Sequence, residues 1–83
     1  MYEIIFSETA EKQLKKLEKN VQIRIINALE KIRIRPEKYV RKIVNDPGYR
    51  LRVGEYRVIV DIDKGNLLIL VINVGHRKKI YKN

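Results

Sequence analysis

The sequence predicts an α+β fold: a two-layer domain in which an N-terminal strand and two helices precede an antiparallel three-stranded meander, with the helices packed on the sheet. Three observations lead there. Apolar residues recur at helical spacing from Ala10 to Ile32, they alternate with polar ones from Tyr49 to Ile62, and short turn signals separate the later segments. Elements that are each apolar on one side must bury those sides against one another. A chain of 83 residues supports one domain, spanning 1–83.

The first strand is read at residues 2–6, where Tyr2, Ile4 and Phe6 fall on one face and Glu3 and Ile5 on the other. Ser7 then stands at an N-cap position, and Glu8 and Glu11 suit the positive end of a helix. In that first helix Ala10, Leu14, Leu17 and Val21 form one stripe, opposed by Lys12, Lys15, Lys16 and Lys19. Asn20 is the expected break. A second helix runs from Val21 to about Arg35 on Ile25, Ala28, Leu29 and Ile32, and stops before Pro36, which lacks an N–H and restricts its predecessor. Residues 38–48 read as irregular, ending in the turn Asp46-Pro47-Gly48.

The meander follows. Tyr49, Leu51 and Val53 alternate with Arg50 and Arg52; Gly54-Glu55 has the form of a two-residue hairpin turn in which glycine supplies a positive φ. Tyr56, Val58, Val60 and Ile62 alternate with Arg57, Ile59 and Asp61, and Asp63-Lys64-Gly65-Asn66 makes the next turn. Leu67 to Val74 is apolar on both faces, the pattern of a central strand covered on both sides.

Composition narrows the function. With 19 Lys and Arg against 10 Asp and Glu the net charge is +9. Residues 1–37 carry 8 basic and 6 acidic side chains, whereas residues 38–83 carry 11 and 4, so the excess falls in the second half. Such a field attracts polyanions, nucleic-acid phosphates first among them; it is equally compatible with a device for solubility. The absence of cysteine rules out disulfides and thiolate metal sites and suits a reducing compartment. No apolar run approaches the roughly 20 residues of a membrane span, and Tyr2-Glu3-Ile4-Ile5-Phe6 lacks the form of a secretion signal. The expected location is the cytoplasm, with no membrane partner.

If the apolar face of strand 49–53 meets the helices, Arg50 and Arg52 share the opposite face, roughly 7 Å apart. Arg57 begins the next strand on its less apolar face, so three guanidiniums are expected to converge. His76, Arg77, Lys78 and Lys79 follow the last strand, with Tyr81 and Lys82 beyond them. Guanidinium forks match phosphate oxygens and a tyrosine ring can stack on a base, which makes the cluster a candidate RNA- or DNA-phosphate site. Each member also has a plainer reading. Alternating arginines can be a solvated outer face, His76 a surface or cap histidine, Lys78, Lys79 and Lys82 a solubilising tail, and Tyr2, Tyr39 and Tyr49 packing at the core or its rim. One histidine does not build a zinc site, no glycine-rich phosphate loop occurs, and Ser7, the only serine, suits an N-cap better than a nucleophile. No cofactor or metal is called for.

The segments Tyr49-Arg50-Leu51-Arg52-Val53-Gly54-Glu55-Tyr56-Arg57-Val58-Ile59 and Val74-Gly75-His76-Arg77-Lys78-Lys79-Ile80-Tyr81 resemble toxins of the RelE/ParE superfamily of type II toxin–antitoxin systems. The order of elements is similar over the whole chain. The resemblance implies a RelE-like domain whose relatives either cut messenger RNA in the ribosomal A site or poison DNA gyrase. By that resemblance Arg50 and Arg52 flank the scissile phosphate, Arg57 helps to hold it, Arg77 stabilises charge or protonates the leaving group, and Tyr81 orients a base. His76, where other members can have lysine, is the acid–base candidate, and Lys78, Lys79 and Lys82 become RNA-binding. Arginine stands where some relatives have lysine at the first two places, and a guanidinium is a poor general base. The implied function is a ribosome-dependent, metal-independent mRNA endoribonuclease, in which the 2′-OH attacks the adjacent phosphate. A ParE-like gyrase inhibitor, or a degenerate toxin that only binds antitoxin or RNA, is the alternative. The implied partners are the ribosome, mRNA and a cognate RelB-like antitoxin bound as a hetero-oligomer.

Overall fold

The computed structural model describes residues 1–79. It contains β1 (Glu3–Phe6), α1 (Glu8–Lys15), α2 (Lys19–Ile32), α3 (Pro36–Tyr39), β2 (Val40–Lys42), β3 (Tyr49–Val53), β4 (Tyr56–Asp63) and β5 (Leu68–His76). The strands form one sheet in the order β1-β5-β4-β3-β2, parallel between β1 and β5 and antiparallel elsewhere.

The α+β class and the meander agree with the sequence reading; the strand count does not. Two elements lie in the segment expected to be irregular or to end a helix. Pro36, buried, opens α3 at its first position, where a missing N–H costs nothing. The chain then pairs Val40, Arg41 and Lys42 with Leu51, Arg50 and Tyr49 as an added edge strand. Three residues are too few to show a period, so β2 is visible only through its partner.

Ser7 caps α1 as expected: its backbone is extended and its Oγ accepts the Ala10 N–H at 3.0 Å. The break between helices falls at residues 16–18 rather than at Asn20. Gln22 explains its position, because its side-chain amide donates to the Leu17 carbonyl at 2.8 Å and to Lys15 at 3.4 Å, where helix α1 leaves acceptors unpaired. The core lies between Ala10 and Leu14 of α1, Val21, Ile25, Leu29 and Ile32 of α2, and one face of the sheet. Each fully buried Ile or Leu contributes about 1.5–3 kcal/mol relative to exposure.

β5 is flanked by strands on both edges, but helices cover only one of its faces. Ile69, Val71 and Val74 are buried, whereas Leu70 is 38% exposed and its neighbour on β1, Ile5, 41%. The expectation of cover on both sides is therefore corrected. The apolar run also conceals a bulge: Val60 pairs with Val71 while Ile59 pairs with Asn73, which leaves Ile72 without an opposite residue. Helix α1 serves the groups around it. The Ser7 hydroxyl donates to the Ile72 carbonyl at 3.0 Å, and the Gln13 amide accepts the Val74 N–H at 2.7 Å while donating to Asn73 Oδ1 at 3.3 Å.

Candidate functional site

The open face of the sheet collects the arginines. Leu51 and Val58 are buried partners on β3 and β4, so the alternating pleat sends Arg50, Arg52 and Arg57 to the other side. Arg41 on β2 stands directly opposite Arg50, and Arg52 directly opposite Arg57. Like charges therefore face each other twice, and for Arg52 and Arg57 the arrangement costs the sheet a few tenths to about 1 kcal/mol. With Tyr39 these four arginines line a hollow of about 160 Å³ in which, among the described residues, there is no carboxylate.

The three arginines read from the sequence are thus brought together. Tyr39 and Arg41 were missed; Tyr39, expected to pack at the core or its rim, is instead 42% exposed at the hollow. The available signal was the alternation Tyr39, Arg41 about Val40, which mirrors Arg50, Arg52 about Leu51.

The hairpin turn fixes Arg57. Gly54 has φ +60°, the left-handed conformation expected of it, and a Cβ there would collide with the Arg24 guanidinium reaching over from α2. The turn presents its carbonyls to Arg57, whose Nη1 donates to Gly54 at 3.2 Å and to Tyr56 at 3.1 Å. Arg77 meets the same turn. Its backbone N–H donates to the Glu55 carbonyl at 2.9 Å, and its Nε lies 3.4 Å from the Glu55 carboxylate.

His76 lies elsewhere. It pairs with Tyr56 across β4 and β5, the two rings meeting edge-on with centroids 5.5 Å apart. That pair continues the row of buried Val53, on the helix side of the pleat, and His76 does not line the arginine hollow. Its Nδ1 accepts the Lys78 N–H at 3.2 Å, and among the described residues no hydrogen bond engages Nε2. Lys78 and Lys79 are exposed in the following turn. Tyr81 and Lys82 lie outside the described residues.

The acidic side chains gather at the far end of the same sheet. Asp61 and Asp63 border a wider hollow of about 540 Å³ with Tyr49, Leu68 and Leu70. Donation from the Asn66 side-chain amide and backbone N–H holds the Asp63 carboxyl below the usual aspartate range. Among the described residues no three His, Cys, Asp or Glu side chains are grouped to hold a metal ion, and no helix is long and apolar enough to cross a membrane.

Three solved structures share this fold. The toxin–antitoxin complex RelBE2 from Mycobacterium tuberculosis matches with a TM-score of 0.84 at 23% identity, over 92% of this chain and 98% of that one. The intact Escherichia coli RelBE complex matches at 0.79 and 27% identity, over 92% and 96%. The RelB-RelE complex from Methanococcus jannaschii matches at 0.73 and 28% identity, over 94% and 95%. No curated protein sequence matches the chain significantly. The model of the ParE toxin family of type II toxin–antitoxin systems matches residues 4–81. A match of that extent, on a RelE-like fold, decides the membership: the chain belongs to the ParE toxin family of type II toxin–antitoxin systems.

Proposed function

We propose that this toxin is a metal-independent endoribonuclease that cuts messenger RNA in the ribosomal A site and so inhibits translation in the cytoplasm. The observation that carries the reading is the pair of facing arginine couples around one hollow, a set of guanidinium forks on an open face whose geometry matches the oxygens of an RNA phosphate. Cleavage requires the ribose 2′-OH to lose its proton and attack the adjacent phosphorus, and the departing 5′-oxygen to gain one. Arg50, Arg52 and Arg57 position the phosphate and stabilise charge on its equatorial oxygens, supplying the positive charge that a metal brings in other nucleases. Arg77 assists at the leaving oxygen, Tyr81 orients a base, and Lys78, Lys79 and Lys82 hold flanking backbone. His76 offers Nε2 for proton transfer, provided the substrate bends round the end of β5 to reach it.

Primer extension on transcripts translated by purified ribosomes tests this directly. New 5′ ends that depend on both toxin and ribosome are expected; none, with translation machinery intact, sinks the proposal. The family match itself favours a second reading, a gyrase inhibitor without nuclease activity. Toxin-dependent cleaved or unsupercoiled plasmid in a gyrase reaction, without RNA cuts, selects it.

The partner is a RelB-like antitoxin in a hetero-oligomer. The RelB complexes among the structural relatives support this, as does the need to silence such a chain in its own host. Its segments would order on binding, covering the arginine face or displacing the C-terminal segment that carries Tyr81.

A further inference from the structure

We propose that Tyr39 and Arg41 form a second nucleotide subsite, so that the protein grips single-stranded RNA at two consecutive phosphates rather than at the scissile one alone. This rests on the RNA reading above and extends it. The Arg41–Arg50 couple spans β2 and β3, and the Arg52–Arg57 couple spans β3 and β4. One strand spacing across and two residues along put their centres on the order of 8 Å apart. Two guanidinium forks already occupy the non-bridging oxygens of one phosphodiester, so four forks around the hollow exceed what one phosphate can use, and neighbouring phosphates of one strand can each take one fork pair.

Tyr39 supplies what a nucleotide needs beside its phosphate. It ends the single turn of α3, whose first residue, Pro36, is fully buried and anchors it. The ring stands at the wall of the hollow, 42% exposed, with the Lys31 ammonium 5.9 Å from its centroid. An exposed ring beside a phosphate-sized cationic hollow is the arrangement on which a base stacks, a contact sequence-tolerant because every base has a π-face. β2 thus has a function beyond edge pairing: it brings Arg41 and Tyr39 to the arginines of the hairpin.

The test uses the intact protein and 2′-O-methyl RNA, which cannot undergo 2′-OH attack, as a dinucleoside with one phosphate and a trinucleoside with two. Fluorescence anisotropy reads the affinities. The trinucleoside is expected to bind at least about tenfold more tightly, with a salt dependence steeper by about one charge. Arg41→Gln should abolish that advantage; Tyr39→Ala should reduce it and Tyr39→Phe retain it. Lys64→Gln, the same charge change in the turn between β4 and β5, should leave the ratio unaltered, with circular dichroism confirming the fold of each variant. Equal weakening of both ligands by Arg41→Gln, no effect of it, or no binding of either ligand by the wild type overturns the subsite. Ribosome assays separate the two claims: a trinucleoside advantage lost in Arg41→Gln without any mRNA cleavage leaves the subsite standing and removes the nuclease, and cleavage with an unchanged ratio does the reverse.

Discussion

Arg52 and Arg57 face each other across β3 and β4 with no residue between them. A β-sheet optimised for stability would not place two guanidiniums there. Arg52→Thr removes one charge and inserts a good strand former, so the variant should be more stable by about 0.2–1 kcal/mol in urea titrations. It should be a weaker toxin. A variant less stable than wild type would mean the couple is not strained.

Arg57 and Arg77 converge on the Gly54-Glu55 turn from β4 and from the end of β5. Neither is buried, so Arg57→Ala and Arg77→Ala should keep the wild-type circular dichroism. Each should slow mRNA cleavage by about 10²–10³-fold if it stabilises charge in the transition state. Growth inhibition on induction offers a simple first readout, and retained toxicity in the double variant would displace the site from this face.

Gln13 should matter more to stability than its partly solvated helix position suggests. Its amide takes the Val74 N–H beside the bulge at 2.7 Å. Gln13→Ala leaves that donor without its partner, at about 1–3 kcal/mol. Hydrogen exchange at Val74 should accelerate, while amides in β3 lose protection only as far as global stability falls.

Asp63 titrates below the ordinary aspartate range because Asn66 donates to its charged form. A depressed carboxyl stabilises the fold above the unfolded-state value, and that contribution is lost as pH falls through the folded-state value. Asn66→Ala removes the side-chain donor. The melting temperature of the variant should therefore lie below wild type at pH 7, and the gap should narrow by pH 3. A gap independent of pH would assign the effect to turn geometry alone.

Features with a local cause were legible in the sequence. The Ser7 cap, the Gly54 turn, the alternation of β3 and β4 and the shared face of Arg50, Arg52 and Arg57 each follow from a few adjacent residues. What escaped depends on distant partners. β2 is specified by β3, Tyr39 and Arg41 enter the hollow only through that pairing, and the helix break at residues 16–18 reflects the reach of Gln22. An uninterrupted apolar run likewise does not say how many of its faces are covered. His76 adjoins Arg77 in sequence, but one step along a strand carries it to the other side.

The bulge at Ile72 acts as a parity switch for everything downstream. Continued without interruption from the Val60–Val71 pair, the ladder would set Asn73 opposite buried Val58 and Val74 opposite Arg57. An amide would then point into the core and a valine among the guanidiniums. One uncounted residue reverses this, giving Val58 a valine and Arg57 the small Gly75. The chemistry of this face consequently depends on a length as much as on side chains. Closing the bulge with Ile72 kept in the ladder would re-address the final residues of β5 to the wrong layer, whereas deleting Ile72 would let Asn73 follow Val71 directly and keep each of them in place.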